Sequence, residues 1–254
     1  MTLLHSVRYG SGSTTIVFLG SLGSTVDMWL PQLDALSHDA TVIALDHRGH
    51  GRSPIGTEPG SIKALADASL ATLDSLNVES FHLVGLSLGG AVAQYLAAVE
   101  PVRVQTVSLL CTAAKFGEPD GWIDRACLAR EQGMEALADA IVSRWFSPGF
   151  LEAKPATVAH YRDMIESVSD QGYAMCCDAL ADWDFTAELG RITQPVLTIA
   201  SADDPATPPE TLQIIADGVA HGRAKIVSPG AHVPTIEVPD QINDLLRAHI
   251  LGVH

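Results

Sequence analysis

Positive charge is scarce in this sequence. Its 15 Lys and Arg stand against 30 Asp and Glu, a formal net charge of -15 over 254 residues. A chain this acidic repels the phosphates of nucleic acid and the anionic surface of membranes, so neither is expected as a partner and a small molecule is. Cysteine is also sparse. Cys111, Cys127, Cys176 and Cys177 are too few for a disulfide framework at this length, and the adjacent pair has no metal-ligand spacing. No apolar run approaches the ~18 residues of a membrane span. The start, Met1-Thr-Leu-Leu-His-Ser-Val-Arg8, lacks the charged head, apolar stretch and cleavage site of a secretory signal. Reduced thiols and a cytoplasmic location are therefore expected. Also missing are a His-Glu-x-x-His pair, a Cys-x-x-Cys pair, a P-loop, and a dinucleotide Gly-x-Gly-x-x-Gly followed by a ribose-binding acid. No metal and no cofactor are expected.

What is present is apolar and periodic. Hydrophobic residues make up 47% of the chain, enough for a substantial core. Short apolar runs bounded by turn residues recur at 15–19, 41–45, 81–84, 104–110, 196–200 and 224–227, and read as buried strands. Between them, 62–76, 89–99, 209–219 and 239–251 carry apolar residues at helical spacing. Alternation of strand and helix predicts an α/β fold, a mostly parallel central sheet with helices on both faces. The alternation breaks between Lys115 and Leu189, a helix-like stretch holding Trp122, Trp145 and Trp183. This predicts a core in two parts, residues 1–114 and 190–254, with an inserted helical cap at 115–189.

Gly85-Leu-Ser87-Leu-Gly89 directly follows the predicted strand ending at Val84 and precedes a helix. A Gly-x-Ser-x-Gly turn in that context is the nucleophile elbow of the α/β-hydrolase fold: the turn is so tight that only glycine fits on either side of the serine. A serine hydroxyl is a poor nucleophile until a base accepts its proton and a carboxylate orients the base. In this fold the acid follows the serine and the histidine comes last. The acid is sought in Ser201-Ala-Asp-Asp-Pro205, at the carboxyl end of a strand. Asp204, deeper in the turn, is favoured, with Asp203 as the alternative. His232 lies in a loop after the last predicted strand. By contrast, His47 and His50 belong to the tight loop Asp46-His-Arg-Gly-His-Gly-Arg-Ser53, where turn packing explains them, and His5, His38, His160, His249 and His254 fall near termini or on helical surfaces. Two N-H donors are needed for the oxyanion of the tetrahedral intermediate. Leu88, next to the nucleophile, and Leu22, in the loop after the first predicted strand, are the candidates.

Several segments together resemble the 3-oxoadipate enol-lactonase family. They are Ser21-Leu-Gly-Ser24 with Met28-Trp29, Asp46-His-Arg-Gly-His-Gly-Arg-Ser53, Gly85-Leu-Ser-Leu-Gly-Gly90 and Thr112-Ala-Ala114 in the core. In the cap they are Trp122-Ile-Asp-Arg125, Gly133-Met134, Arg144-Trp-Phe146 and Gly172-Tyr-Ala-Met-Cys-Cys-Asp-Ala-Leu180. The resemblance covers nearly the whole chain. It implies hydrolysis of 3-oxoadipate enol-lactone to 3-oxoadipate, a step of the β-ketoadipate route of aromatic breakdown, without metal or cofactor. One departure stands out: where the family has Asn before Ser-Leu-Gly, this chain has Gly20. The resemblance also suggests how an acidic lactone binds so acidic a protein. Arg125 would take the substrate carboxylate in its planar fork, with Trp122 and Trp145 as walls. A surface ion pair for Arg125 and cap-to-core packing for both Trp are the structural alternatives. Two other functions fit the same triad, a general carboxylesterase or a cofactor-free perhydrolase of the haloperoxidase kind, and a more distant one is a slow-turnover ligand receptor.

Overall fold

Seven strands form one sheet in the computed structural model, which describes residues 2–252. They are β1 (Ser6–Tyr9), β2 (Thr15–Leu19), β3 (Thr41–Leu45), β4 (Phe81–Leu86), β5 (Val104–Leu110), β6 (Pro195–Ser201) and β7 (His221–Val227), in the order β1-β3-β2-β4-β5-β6-β7. Only β1 runs antiparallel, against β3; every other pairing is parallel. Parallel neighbours cannot be joined by a hairpin, so each crossover places a helix against a face of the sheet. The inner strands are then covered on both sides, which is why Ile16 to Leu19 and Val42 to Ala44 are apolar without alternation and wholly buried.

The two edge strands obey a different rule. Of the four residues of β1 two are half-buried and two exposed, and β7 is exposed through most of its length. The apolar-run criterion therefore misses β1 and detects only the last four residues of β7. The first three, His221, Gly222 and Arg223, are held by backbone pairing with Pro195 to Leu197 and not by burial.

A short 3-10 turn at Val26–Trp29 leads into α1 (Leu30–Leu36), and α2 (Ile62–Ser75) and α3 (Leu88–Val99) follow. Five helices then intervene between β5 and β6: α4 (Pro119–Gln132), α5 (Glu135–Trp145), α6 (Pro148–Ala153), α7 (Pro155–Glu166) and α8 (Asp170–Ala181). The chain closes with α9 (Pro209–Gly218), α10 (Pro234–Glu237) and α11 (Pro239–Leu251). Proline begins α4, α6, α7, α9, α10 and α11, where its missing N-H has no intrahelical partner to lose. The hydroxyls of Ser147 and Ser169 accept from Phe150 N and Gly172 N and so fix the starts of α6 and α8. In the insertion α4 packs on α8 and α5 on α7. Among the described residues no helix is long and apolar enough to cross a membrane.

Candidate active site

The turn between β4 and α3 carries Ser87 at φ 56° and ψ -116°, a backbone state that L residues rarely hold and that costs on the order of 1–3 kcal/mol. Surrounding bonds enforce it. Ser87 N donates to Leu110 O at 3.0 Å and the Thr112 hydroxyl donates to Ser87 O at 2.8 Å. Both flanking glycines are required by close approach. A Cβ on Gly85 would strike the Gly89 carbonyl, and one on Gly89 would strike the Leu19 carbonyl. Gly89→Ala tests this. Alanine gains about 1 kcal/mol of helix propensity, but overpacking against fixed backbone costs up to about 3 kcal/mol, so a net loss of about 2 kcal/mol is expected in chemical denaturation. Unchanged stability would refute the close approach.

Asp204 and His232 meet at the carboxyl ends of β6 and β7. His232 Nδ1 lies 2.9 Å from Asp204 Oδ2. The same carboxylate accepts the Thr207 hydroxyl at 2.6 Å, Ala206 N at 2.8 Å and Thr207 N at 3.2 Å. Burial pushes the Asp204 carboxyl up, but His232 and these donors outweigh it, and the group is held below its ordinary range. It is thus ionised at neutral pH, and it fixes the imidazole with Nδ1 protonated and Nε2 free to act as a base. Asp203 is exposed and has no hydrogen bond or ion pair to His232, which favours Asp204 of the two candidates. Glu237 steadies the histidine loop: its carboxylate accepts Ala231 N, Ser147 N and Ser147 Oγ, tying this loop to the insertion. Ser87 and His232 line the same pocket without a direct hydrogen bond between them.

The loop after β2 presents Leu22 to that pocket. Of the N-H groups from Ser21 to Ser24, three have acceptors: Ser21 N donates to Met28 Sδ, Gly23 N to His50 Nε2 and Ser24 N to Ser21 O. Leu22 N has none among the described residues. Leu88 N is in the same state, at the open start of α3 beside Ser87, and the buried Leu88 side chain is not itself part of the pocket lining. At Gly20, the space into which a side chain would grow is filled by the Ser24 hydroxyl and the Met28 thioether.

The pocket encloses about 160 Å³. Loops of the sheet supply its floor, while Trp122, Arg125, Arg144, Trp145 and Tyr173 from the insertion wall it. The Arg125 guanidinium stands 5.5 Å from the Trp122 ring centre and 6.0 Å from that of Tyr173. It makes no ion pair among the described residues, which removes the surface-pair alternative. Trp145 both lines the pocket and packs against Tyr161, and Trp122 also donates its indole N-H to Phe116 O at 2.6 Å. Arg144, Tyr173 and Thr207 also line the pocket, though nothing in the sequence marks them as site residues. Arg144 adjoins Trp145 in a noted motif, so its place in the lining was the most accessible of the three. Two histidines also differ from expectation. His5, expected in solvent, meets Asp46 Oδ2 at 2.8 Å, and His249 is half-buried, and that burial lowers its pKa. Among the described residues no cluster of His, Cys, Asp and Glu is arranged to hold a metal.

Comparison with known proteins places the fold in a family. A family model for the alpha/beta hydrolase fold matches residues 14–239. A protein named 3-oxoadipate enol-lactonase 2 from Acinetobacter baylyi is 36% identical over 92% of this chain and 87% of its own length. A putative carbamate hydrolase, RutD, from Agrobacterium fabrum is 30% identical over 96% of this chain and 95% of its own. Among solved structures, the enol-lactonase from Burkholderia xenovorans superposes with a TM-score of 0.95 at 34% identity, covering 98% of this chain and 96% of that one.

Proposed function

Because this chain belongs to the alpha/beta hydrolase fold family, and within it to the 3-oxoadipate enol-lactonases, we propose that it opens 3-oxoadipate enol-lactone to 3-oxoadipate. In this mechanism His232 Nε2 accepts the Ser87 proton while Ser87 Oγ attacks the lactone carbonyl. The N-H groups of Leu22 and Leu88 hold the oxyanion. Collapse breaks the ring C-O bond, and the leaving enol takes the proton from His232 and becomes a ketone. Water, deprotonated by His232, then attacks the acyl-enzyme, and Ser87 recovers its proton as the acid departs. Asp204 holds the imidazole tautomer throughout.

The observation that carries this reading is the charge of the pocket. In a protein of net charge -15, the only charged side chains in the lining, among the described residues, are Arg125 and Arg144. Screening limits exposed charges to about 8 Å at physiological ionic strength, so a bound carboxylate responds to the two guanidiniums at contact more than to the distant acidic surface. A neutral ester needs neither arginine. The aromatic walls leave room for a small ring, and the arginines suit its carboxylate.

The test is hydrolysis of the lactone, followed by its absorbance, beside hydrolysis of neutral p-nitrophenyl acetate. Wild type is expected to turn over the lactone. Arg125→Ala and Arg144→Ala should each raise its KM about tenfold, the size expected for one charge-assisted contact, and leave the neutral ester within about twofold. Cleavage of the neutral ester without turnover of the lactone would make the protein a general esterase and remove the proposed substrate.

A further inference from the structure

We propose that His47 and His50 are positioning residues for the oxyanion donor, two imidazoles of opposite tautomer that clamp the loop Gly20–Ser24 on either side of Leu22. The proposal rests on the reading of Ser87 as nucleophile and Leu22 N-H as oxyanion donor.

His47 Nε2 lies 2.9 Å from Gly20 O; facing a carbonyl, that nitrogen must carry the proton. Gly20 O also accepts Gly89 N at 3.0 Å, so the same oxygen joins the imidazole to the start of α3. His50 has the reverse arrangement. Its Nε2 accepts the Gly23 N-H at 3.0 Å, and its Nδ1 donates to Arg48 O at 3.1 Å. Both rings are buried, at 2% and 0% exposure, and meet edge to face with centres 6.1 Å apart. Asp46 Oδ1 accepts Val26 N at 2.7 Å, a tie to the 3-10 turn that follows the loop Gly20–Ser24. Asp46 Oδ2 is taken by His5 Nδ1 and Arg52 N.

A protonated His50 would set an N-H against the Gly23 N-H, and burial, with His47 beside it, lowers its pKa to about 3. The acceptor is therefore present wherever the enzyme works. Turn packing alone would call for filled volume, yet here three of the four ring nitrogens meet a backbone partner, and two of those partners flank Leu22 N, the one N-H from Ser21 to Ser24 without an acceptor among the described residues. An oxyanion donor displaced by a fraction of an ångström loses much of its effect, since removing one donor outright costs about 100- to 1000-fold.

Two variants separate positioning from filling. His50→Gln carries an acceptor as far as Nε2 and keeps the bond to Gly23, whereas His50→Asn is one methylene shorter, reaches Arg48 O and abandons Gly23. Each is treated with diisopropyl fluorophosphate and followed by intact mass. In that reaction Ser87 Oγ bonds to phosphorus, fluoride leaves, and the Ser87 proton passes to His232, with the phosphoryl oxygen in the oxyanion site. His50→Asn is expected to label Ser87 about 10- to 100-fold more slowly than wild type with unchanged reagent affinity, and His50→Gln within about threefold. In p-nitrophenyl acetate hydrolysis the loss should fall on kcat and not on KM. Equal rates in wild type and His50→Asn, or equal deficits in both variants, would overturn the clamp while Ser87→Ala still blocked labelling. A wild type that takes no label on Ser87 would remove the reading beneath it and the clamp with it.

Discussion

Ser87→Ala is expected to lower kcat for the lactone by about 10⁴-fold or more with KM little changed. The change deletes one oxygen and disturbs nothing else that binds substrate. The backbone strain at φ 56° remains, because Leu110 O and the Thr112 hydroxyl hold the turn from outside the side chain. Arg125, Arg144 and the aromatic walls still receive the lactone, so binding persists while covalent attack does not. Steady-state kinetics at saturating lactone would check this, with the protein digested and its mass confirmed to exclude wild-type carry-over. A variant within tenfold of wild type would mean that water attacks directly and that the elbow is not the origin of catalysis. A preserved melting transition would show that the loss is chemical and not structural.

The features legible in the sequence are those that local chemistry determines. Inner strands such as β2 and β3 announce themselves because both faces are buried and no alternation is required. The elbow is legible because its geometry admits only glycine at 85 and 89. The proposed set Ser87, Asp204 and His232 follows from chain order, and the structure supports Asp204 over Asp203 by burial against exposure. What stayed hidden depends on long-range contact. Gly20 and Gly23, met by His47 and His50, lie 27 positions earlier in the chain, so from local sequence both rings look like turn filler. Arg144 and Arg125 sit on α5 and α4, and nothing in the spacing of two helices tells which faces converge on one pocket. The edge strand β1 was invisible for the opposite reason: it is defined by pairing with β3, and it buries too little for an apolar pattern to develop.

Asp204→Asn is expected to reduce kcat by about 10⁴-fold, whereas Asp203→Asn should stay within about twofold of wild type. The difference follows from the donors around the two side chains. Asp204 Oδ1 accepts Ala206 N and Thr207 N, and an asparagine oxygen would keep that role. Its amide nitrogen would then replace Oδ2, which in the native protein accepts both the Thr207 hydroxyl and His232 Nδ1. An amide N-H cannot face a protonated Nδ1, so His232 would move its proton to Nε2, and the nitrogen turned toward Ser87 would no longer accept. The charge that stabilises the imidazolium would vanish at the same time, in a site where Asp204 is only 4% exposed and water cannot replace it. Asp203, exposed and free of His232, has no such function. Measuring kcat for both variants at neutral pH, where native Asp204 is ionised because its pKa is lowered, decides between the neighbours. A large loss in Asp203→Asn with little loss in Asp204→Asn would reverse the assignment, and equal small losses would show that His232 needs no carboxylate to serve as base.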